Sequence, residues 1–119
     1  MIAIEQRTIE PGVTVLQVQG RIVLGRVSQE LEWKIDELVK AEARRVILDL
    51  AGVTFLDSTG VGILVMCAGK LKDSGGSLRI SCAAGAVAHT LGLCRVNEIV
   101  PLFASLEQAA ASFRAAAAS

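Results

Sequence analysis

Apolar and polar residues alternate twice within the first twenty positions, and a period of two predicts two strands. Ile2 and Ile4 alternate with Ala3 and Glu5; Thr14, Leu16 and Val18 then alternate with Val15, Gln17 and Gln19. Between them stands Glu10-Pro11-Gly12-Val13. Proline presets φ at the second position of a turn and glycine supplies a positive φ at the third, so a type II turn and a hairpin are expected. After Gly20 and the short apolar stretch Ile22-Val23-Leu24 the period becomes helical, with Val27, Leu31, Ile35 and Leu38 on one face. Ser28 or Gly25 is placed to cap that helix.

Arg44-Arg45-Val46-Ile47-Leu48-Asp49-Leu50 is almost continuously apolar after its arginines. Such a run suits a central parallel strand covered on both faces. Residues 51–62 are read as the junction to a second helix over Thr59–Leu71, with Val61, Leu64, Val65, Ala68 and Leu71 as its core stripe. Asp73-Ser74-Gly75-Gly76 stops that helix. Leu78, Ile80 and Cys82 alternate with Arg79 and Ser81 as a further strand. A short helix near Ala86–Leu91, a short strand at Ile99-Val100 and an alanine-rich helix from about Ser105 complete the chain, its last residues fraying. The order ββαβαβαβα predicts an α/β fold: one domain over residues 1–119, with a mixed sheet and about four helices.

Composition narrows the function. The 119 residues are 52% hydrophobic and 20% charged, enough to fill one core. Twelve Lys and Arg balance twelve Asp and Glu. Without a basic excess, nucleic-acid binding and a polybasic membrane anchor are disfavoured. No apolar run is long enough to span a bilayer, so membrane insertion is not expected. The N-terminus lacks the apolar segment of a signal peptide, and the expected compartment is the cytoplasm. Cys67, Cys82 and Cys94 are scattered among apolar neighbours and read as three reduced core thiols, with no metal site and no cofactor expected.

Enzyme signatures are missing. Leu56 stands two residues before Ser58, so the hydrolase elbow is absent; Gly60-x-Gly62 has no third glycine; there is no phosphate-loop lysine. His89, the single histidine, reads as an ordinary, partly exposed residue of a short helix. No catalytic residue is expected. Asp57, Ser58 and Thr59 stand where a helix begins and can serve simply as its cap. A hydroxyl there has a second use, because a phosphate added to it would meet free N–H groups and the positive end of the helix dipole. With the core stripe centred between Val61 and Val65, Thr59, Ile63, Met66 and Lys70 are expected on the opposite side of the helix. Glycines 62 and 69 flank this outward set, and an exposed Ile63 and Met66 would form a protein-binding patch.

The segment Val46-Ile47-Leu48-Asp49-Leu50-Ala51-Gly52-Val53-x-Phe55-Leu56-Asp57-Ser58-Thr59-Gly60-Val61-Gly62 resembles the signature of STAS domains, the anti-sigma factor antagonists and their relatives in sulfate transporters. The resemblance extends over essentially the whole chain, including Gly20-Arg21-Ile22 after the hairpin and Gly92-Leu93 before the last short strand. It implies an antagonist that binds an anti-sigma factor serine kinase of the ATPase fold, releases a sigma factor, and dissociates once Ser58 is phosphorylated; a phosphatase resets the switch. The partner-binding residues are then expected to be Asp57, Thr59, Gly60, Ile63 and Met66, with Ile22, Val23 and Leu24 beside them. Two positions depart from the common antagonist pattern: Val23 replaces a polar or acidic residue, and Cys82-Ala83 ends the fourth strand. The alternatives are a standalone STAS subunit of a lipid or solute ABC transporter, bound to its ATPase, and a stressosome-like scaffold. Trp33 is a candidate edge or dimer contact, which leaves a homodimer open.

Overall fold

The computed structural model describes residues 4–10 and 12–118. Strands β1 (Ile4–Glu10) and β2 (Val13–Ile22) form the expected antiparallel hairpin, with Ile4 across from Val18 and Thr8 across from Thr14. Gly12 has φ +80°, as the third turn position demands; Ile2, Ala3, Pro11 and the final Ser119 lie outside the described residues. Then follow α1 (Arg26–Lys40), β3 (Arg45–Leu56), α2 (Ser58–Asp73), β4 (Ser77–Ser81), α3 (Gly85–Leu93), a 3-10 turn (Val96–Glu98), β5 (Leu102–Phe103) and α4 (Leu106–Ala118). The strands lie in the order β1-β2-β3-β4-β5, antiparallel only in the first pair and parallel thereafter. The mixed sheet and the ββαβαβαβα order agree with the sequence expectation.

Because side chains alternate across a strand, the sheet faces two cores. Leu16, Val18, Val46, Leu48 and Ile80 pack with Leu31, Ile35 and Leu38 of α1, Leu64, Cys67 and Leu71 of α2, and Val87 and Leu91 of α3. Val13, Val15 and Ile47 face the other way and meet Ala109, Ala110 and Phe113 of α4. Both residue series of early β2 are therefore buried, although only one was expected inside. Arg79 fastens α4 to this second face. Its guanidinium lies 4.0 Å from the Phe113 ring centre, and it donates to the hydroxyls of Ser112 and Ser77, each at 2.6 Å. Burial pushes its pKa down.

Three expectations are corrected, and one left open is decided. Residues 51–56 are not a loop: β3 runs on to Leu56, paired with β2 from Gln19 across Gly52 to Ile22 across Leu56. The register slips where Gln17 faces Asp49 but Gln19 faces Gly52, and there the N–H of Ala51 donates to Asp49 Oδ1 at 3.0 Å. A buried carboxylate thus takes a donor near the register slip, and β2–β3 continues as a ribbon past the end of β4. The last strand is Leu102–Phe103 rather than Ile99-Val100, which follow the 3-10 turn. Cys67 is a core thiol, but Cys82 is half-buried and Cys94 is exposed. Gly25 is the N-cap of α1; Ser28 sits one turn in, and its hydroxyl accepts from Gly25 N–H at 3.1 Å and donates to Gly25 C=O at 2.8 Å.

Candidate functional site

The end of the β2–β3 ribbon delivers the chain to α2. Asp57 is its N-cap, in extended conformation, and Gly60 N–H donates to Asp57 Oδ1 at 2.8 Å while Val61 N–H donates to the Asp57 carbonyl at 2.9 Å. Such a cap contributes about 1 kcal/mol to the helix. Ser58 is the first helical residue, and both it and Thr59 are exposed. At that position a helix offers N–H groups with no helical acceptor and the positive end of its dipole. The capping role and an accessible hydroxyl therefore fall to different residues, Asp57 and Ser58.

The phase of α2 differs from the one expected. Its buried residues are Gly60, Val61, Ile63, Leu64, Cys67 and Leu71, while Val65 and Ala68 are half-buried. At 100° per residue the inward direction is centred near Gly60, Leu64, Cys67 and Leu71, rotated about 65° from the mean of the stripe expected, with Val61, Leu64 and Leu71 common to both. Gly60 sets this phase. A Cβ there would stand 2.1 Å from the Ile22 carbonyl oxygen and 2.6 Å from Leu56 Cδ1, so only glycine lets α2 rest directly on the end of β2.

The expected partner-facing residues divide accordingly. Ile63 is only 8% exposed and belongs to the main core, so its outward placement is corrected. Ile22 and Gly60 are buried as well, in the seam between β2 and α2. Lys70 is not free: it is half-buried and bridges to Asp36 of α1 at 3.0 Å, a contact that raises its pKa. Met66 is 39% exposed, Leu24 is 80% exposed, Thr59 is exposed and Val23 half-buried. By helical phase Ser58, Gly62, Met66 and Gly69 share the outward side of α2. Nothing lies within 4 Å of a Cβ placed at Gly62 or Gly69.

Phe55 was not anticipated. It projects from the extended ribbon, 40% exposed, with the Arg21 guanidinium 4.8 Å from its ring centre across the strand pair. It stands three residues before Ser58 in the sequence. A continuous strand through Leu56 would have been the signal. Among the described residues no group of three or more His, Cys, Asp or Glu side chains could hold a metal ion, and no helix is long and apolar enough to cross a membrane.

The STAS domain model matches residues 6–109. The chain belongs to the STAS domain family. BtrV of Bordetella bronchiseptica, whose name describes an anti-sigma factor antagonist, is 28% identical to this STAS domain over 105 residues, 88% of this chain and 90% of that protein. An anti-sigma factor antagonist from Mycobacterium paratuberculosis superposes with a TM-score of 0.79 at 27% identity, over 93% of this chain and 94% of that one. A Thermotoga maritima protein described in the same terms gives a TM-score of 0.84 at 21% identity, over 93% and 94% of the two chains; at that identity the likeness is one of fold.

Proposed function

We propose that this STAS domain is an anti-sigma factor antagonist that binds an anti-sigma factor with serine kinase activity and is released from it by phosphorylation of Ser58. The observation that carries the reading is the separation of roles at the start of α2. Asp57 caps the helix, Gly60 seats it, and Ser58 is left exposed on the same outward side of α2 as Met66. The names of BtrV and of the mycobacterial structure support the antagonist role. The partner surface consists of Ser58, Thr59, Gly62 and Met66 on α2, Leu24 beyond β2, and Phe55. Ile63, Ile22 and Gly60 support it from beneath. A phosphate on Ser58 brings about −1.5 to −2 charge to a surface that closes on the partner, next to the Asp57 carboxylate. Repulsion and desolvation oppose rebinding, while the helix terminus tolerates the charge within the fold.

Pull-down from native lysate with wild-type and Ser58→Asp baits identifies the partner, which should be retained by the first and lost by the second. Incubation of the captured kinase with ATP and this protein, followed by mass spectrometry, should place one phosphate on Ser58. Phosphate on Thr59 or Ser28 with Ser58 untouched would refute the switch. Capture of a transporter ATPase subunit by both baits would refute the antagonist reading.

A further inference from the structure

The sheet has two edges, and they are treated differently. Strand β5 is two residues long, which blunts one of them. Among the described residues strand β1 pairs only with β2, and no other described strand lies along its outer row of N–H and C=O groups. The other devices that guard an edge are proline, charged side chains (lysine above all), a bulge or a covering element, and the charges on this edge are Glu5 and Arg7. From Ile4 to Thr8 the strand contains no proline, lysine or glycine and keeps a regular register, which breaks only between Thr8 and Glu10. The straight part is thus five residues, Ile4-Glu5-Gln6-Arg7-Thr8, and its centre is Gln6.

We propose that two copies of this chain associate through β1, edge to edge and antiparallel, about a two-fold axis at Gln6. That register sets Glu5 opposite Arg7 of the partner subunit and Arg7 opposite Glu5 of the partner subunit. Ile4 meets Thr8 of the partner subunit, and Gln6 meets its own copy. An axis at Glu5 or at Arg7 opposes like charges, and an axis between neighbouring residues pairs neither charge with its opposite. Like charges across an antiparallel pair destabilise it and opposite charges favour it, so the sequence selects the Gln6 register. Within one chain both charges are exposed and unused. The ion pairs among the described residues are Lys34–Glu37, Lys70–Asp36 and Arg114–Glu10, while Glu5 faces Gln17 and Arg7 faces Val15.

Trp33 supplies the second contact. It is the chain's single tryptophan, 61% exposed, and it lines a groove of about 550 Å³ between β1 and α1 that Ile4, Gln6 and Lys34 also border. In a sheet continued across the axis, α1 of both copies lies on the same side, and the groove runs along the seam. Five strand pairs and one aromatic on each side place the contact at the small end of specific interfaces, so the dimer is weak and depends on concentration. The proposal is independent of the Ser58 switch, because none of Glu5, Gln6, Arg7 and Trp33 belongs to the partner surface assigned to α2, Leu24 and Phe55.

Sedimentation velocity across a concentration series tests it. Wild type should pass from monomer to dimer, with Trp33 emission shifting to shorter wavelength in step. Glu5→Arg and Arg7→Glu should each weaken association about tenfold or more, since each converts two attractive pairs into repulsive ones. The double variant Glu5→Arg/Arg7→Glu should restore the dimer. An equimolar mixture of the two single variants should form a heterodimer tighter than either homodimer, a result that also shows both to be folded. Wild type that stays monomeric at about 1 mM would overturn the proposal. A double variant no better than the singles, or a mixture that does not associate, would overturn the register.

Discussion

Adding one carbon at Gly60 and the same carbon at Gly62 should have opposite effects, although the two positions stand only two residues apart in one helix. At Gly60 the new Cβ meets the Ile22 carbonyl oxygen at 2.1 Å and the Ile22 carbonyl carbon at 3.0 Å. These are backbone atoms of a paired strand, so relief requires α2 to lift off β2 by roughly 1 Å, the shortfall from an ordinary carbon–oxygen contact. Overpacking of this kind costs ~3 kcal/mol at the upper end of its usual range. Alanine's better helix propensity returns up to ~1 kcal/mol, leaving a net loss of ~2 kcal/mol. At Gly62 nothing lies within 4 Å, and the same propensity gain should appear as ~0.5 to 1 kcal/mol of added stability. Urea unfolding of Gly60→Ala, Gly62→Ala and wild type measures both, with equal m-values expected because the exposed surface on unfolding is nearly the same. A Gly60→Ala midpoint at or above that of wild type would show that α2 does not rest on the Ile22 carbonyl. The phase assigned to the helix, and with it the outward surface, would then be wrong.

Met66 and Ile63 provide a second comparison. Met66→Asp should leave the unfolding midpoint within ~0.5 kcal/mol of wild type and abolish capture of the kinase, whereas Ile63→Asp, which buries a carboxylate, should unfold the domain in thermal melts monitored by circular dichroism. The thiols give a pH prediction. Burial raises the Cys67 pKa from 9.0 to about 12, so its contribution to stability is complete below pH 9 and is lost as pH rises through about 12, where the folded thiol finally ionises. Stability measured from pH 8 to 11 should therefore fall more steeply in wild type than in Cys67→Ala, and a thiol reagent should label Cys94 in the folded protein long before Cys67; equal slopes, or early labelling of Cys67, would contradict that burial.

The order of elements was legible because most are covered on one side, and one-sided burial writes a period of two or of 3.6 into the sequence. The hairpin, α1 and the apolar run of β3 are such cases. The ribbon beyond Leu50 was not legible, because Ala51, Gly52, Thr54 and Phe55 are exposed and only Val53 and Leu56 are buried. Two inward residues at a spacing of three make no strand period. The phase of α2 failed for a different reason. Its closest approach to the sheet is made by Gly60, a residue that hydrophobicity does not weight as core, and the fully buried Cys67, though read as a core thiol, was not counted in the stripe. Val65 drew the expected stripe toward itself by its apolarity, yet it lies only half-buried, where α2 faces the Gly76–Leu78 side of β4. The site was legible in part: a cap and a hydroxyl among Asp57, Ser58 and Thr59 followed from a helix start, whereas the division of the two roles between Asp57 and Ser58, and the residues around them, depended on where the helix begins and on its phase.

The corrected phase gives the proposed switch a physical basis. A regulated surface must lose its partner on modification without losing its fold, and the two demands conflict where one side chain serves both. In α2 they are distributed over opposite sides of one helix. Gly60, Leu64, Cys67 and Leu71 hold it to the sheet, and Lys70 ties it to Asp36 of α1. Ser58, Gly62, Met66 and Gly69 face away. Met66 supplies an adaptable apolar contact. The glycines at 62 and 69 let another backbone approach closely, at a cost in helix propensity that the buried side offsets. A phosphate on Ser58 would then act only on what approaches from outside, since Asp57 already satisfies Gly60 N–H and no residue of the inward side needs to move. Had Ile63 faced outward, as the simpler pattern implied, the helix would have lost a core residue to its interface and the fold would have depended on the partner.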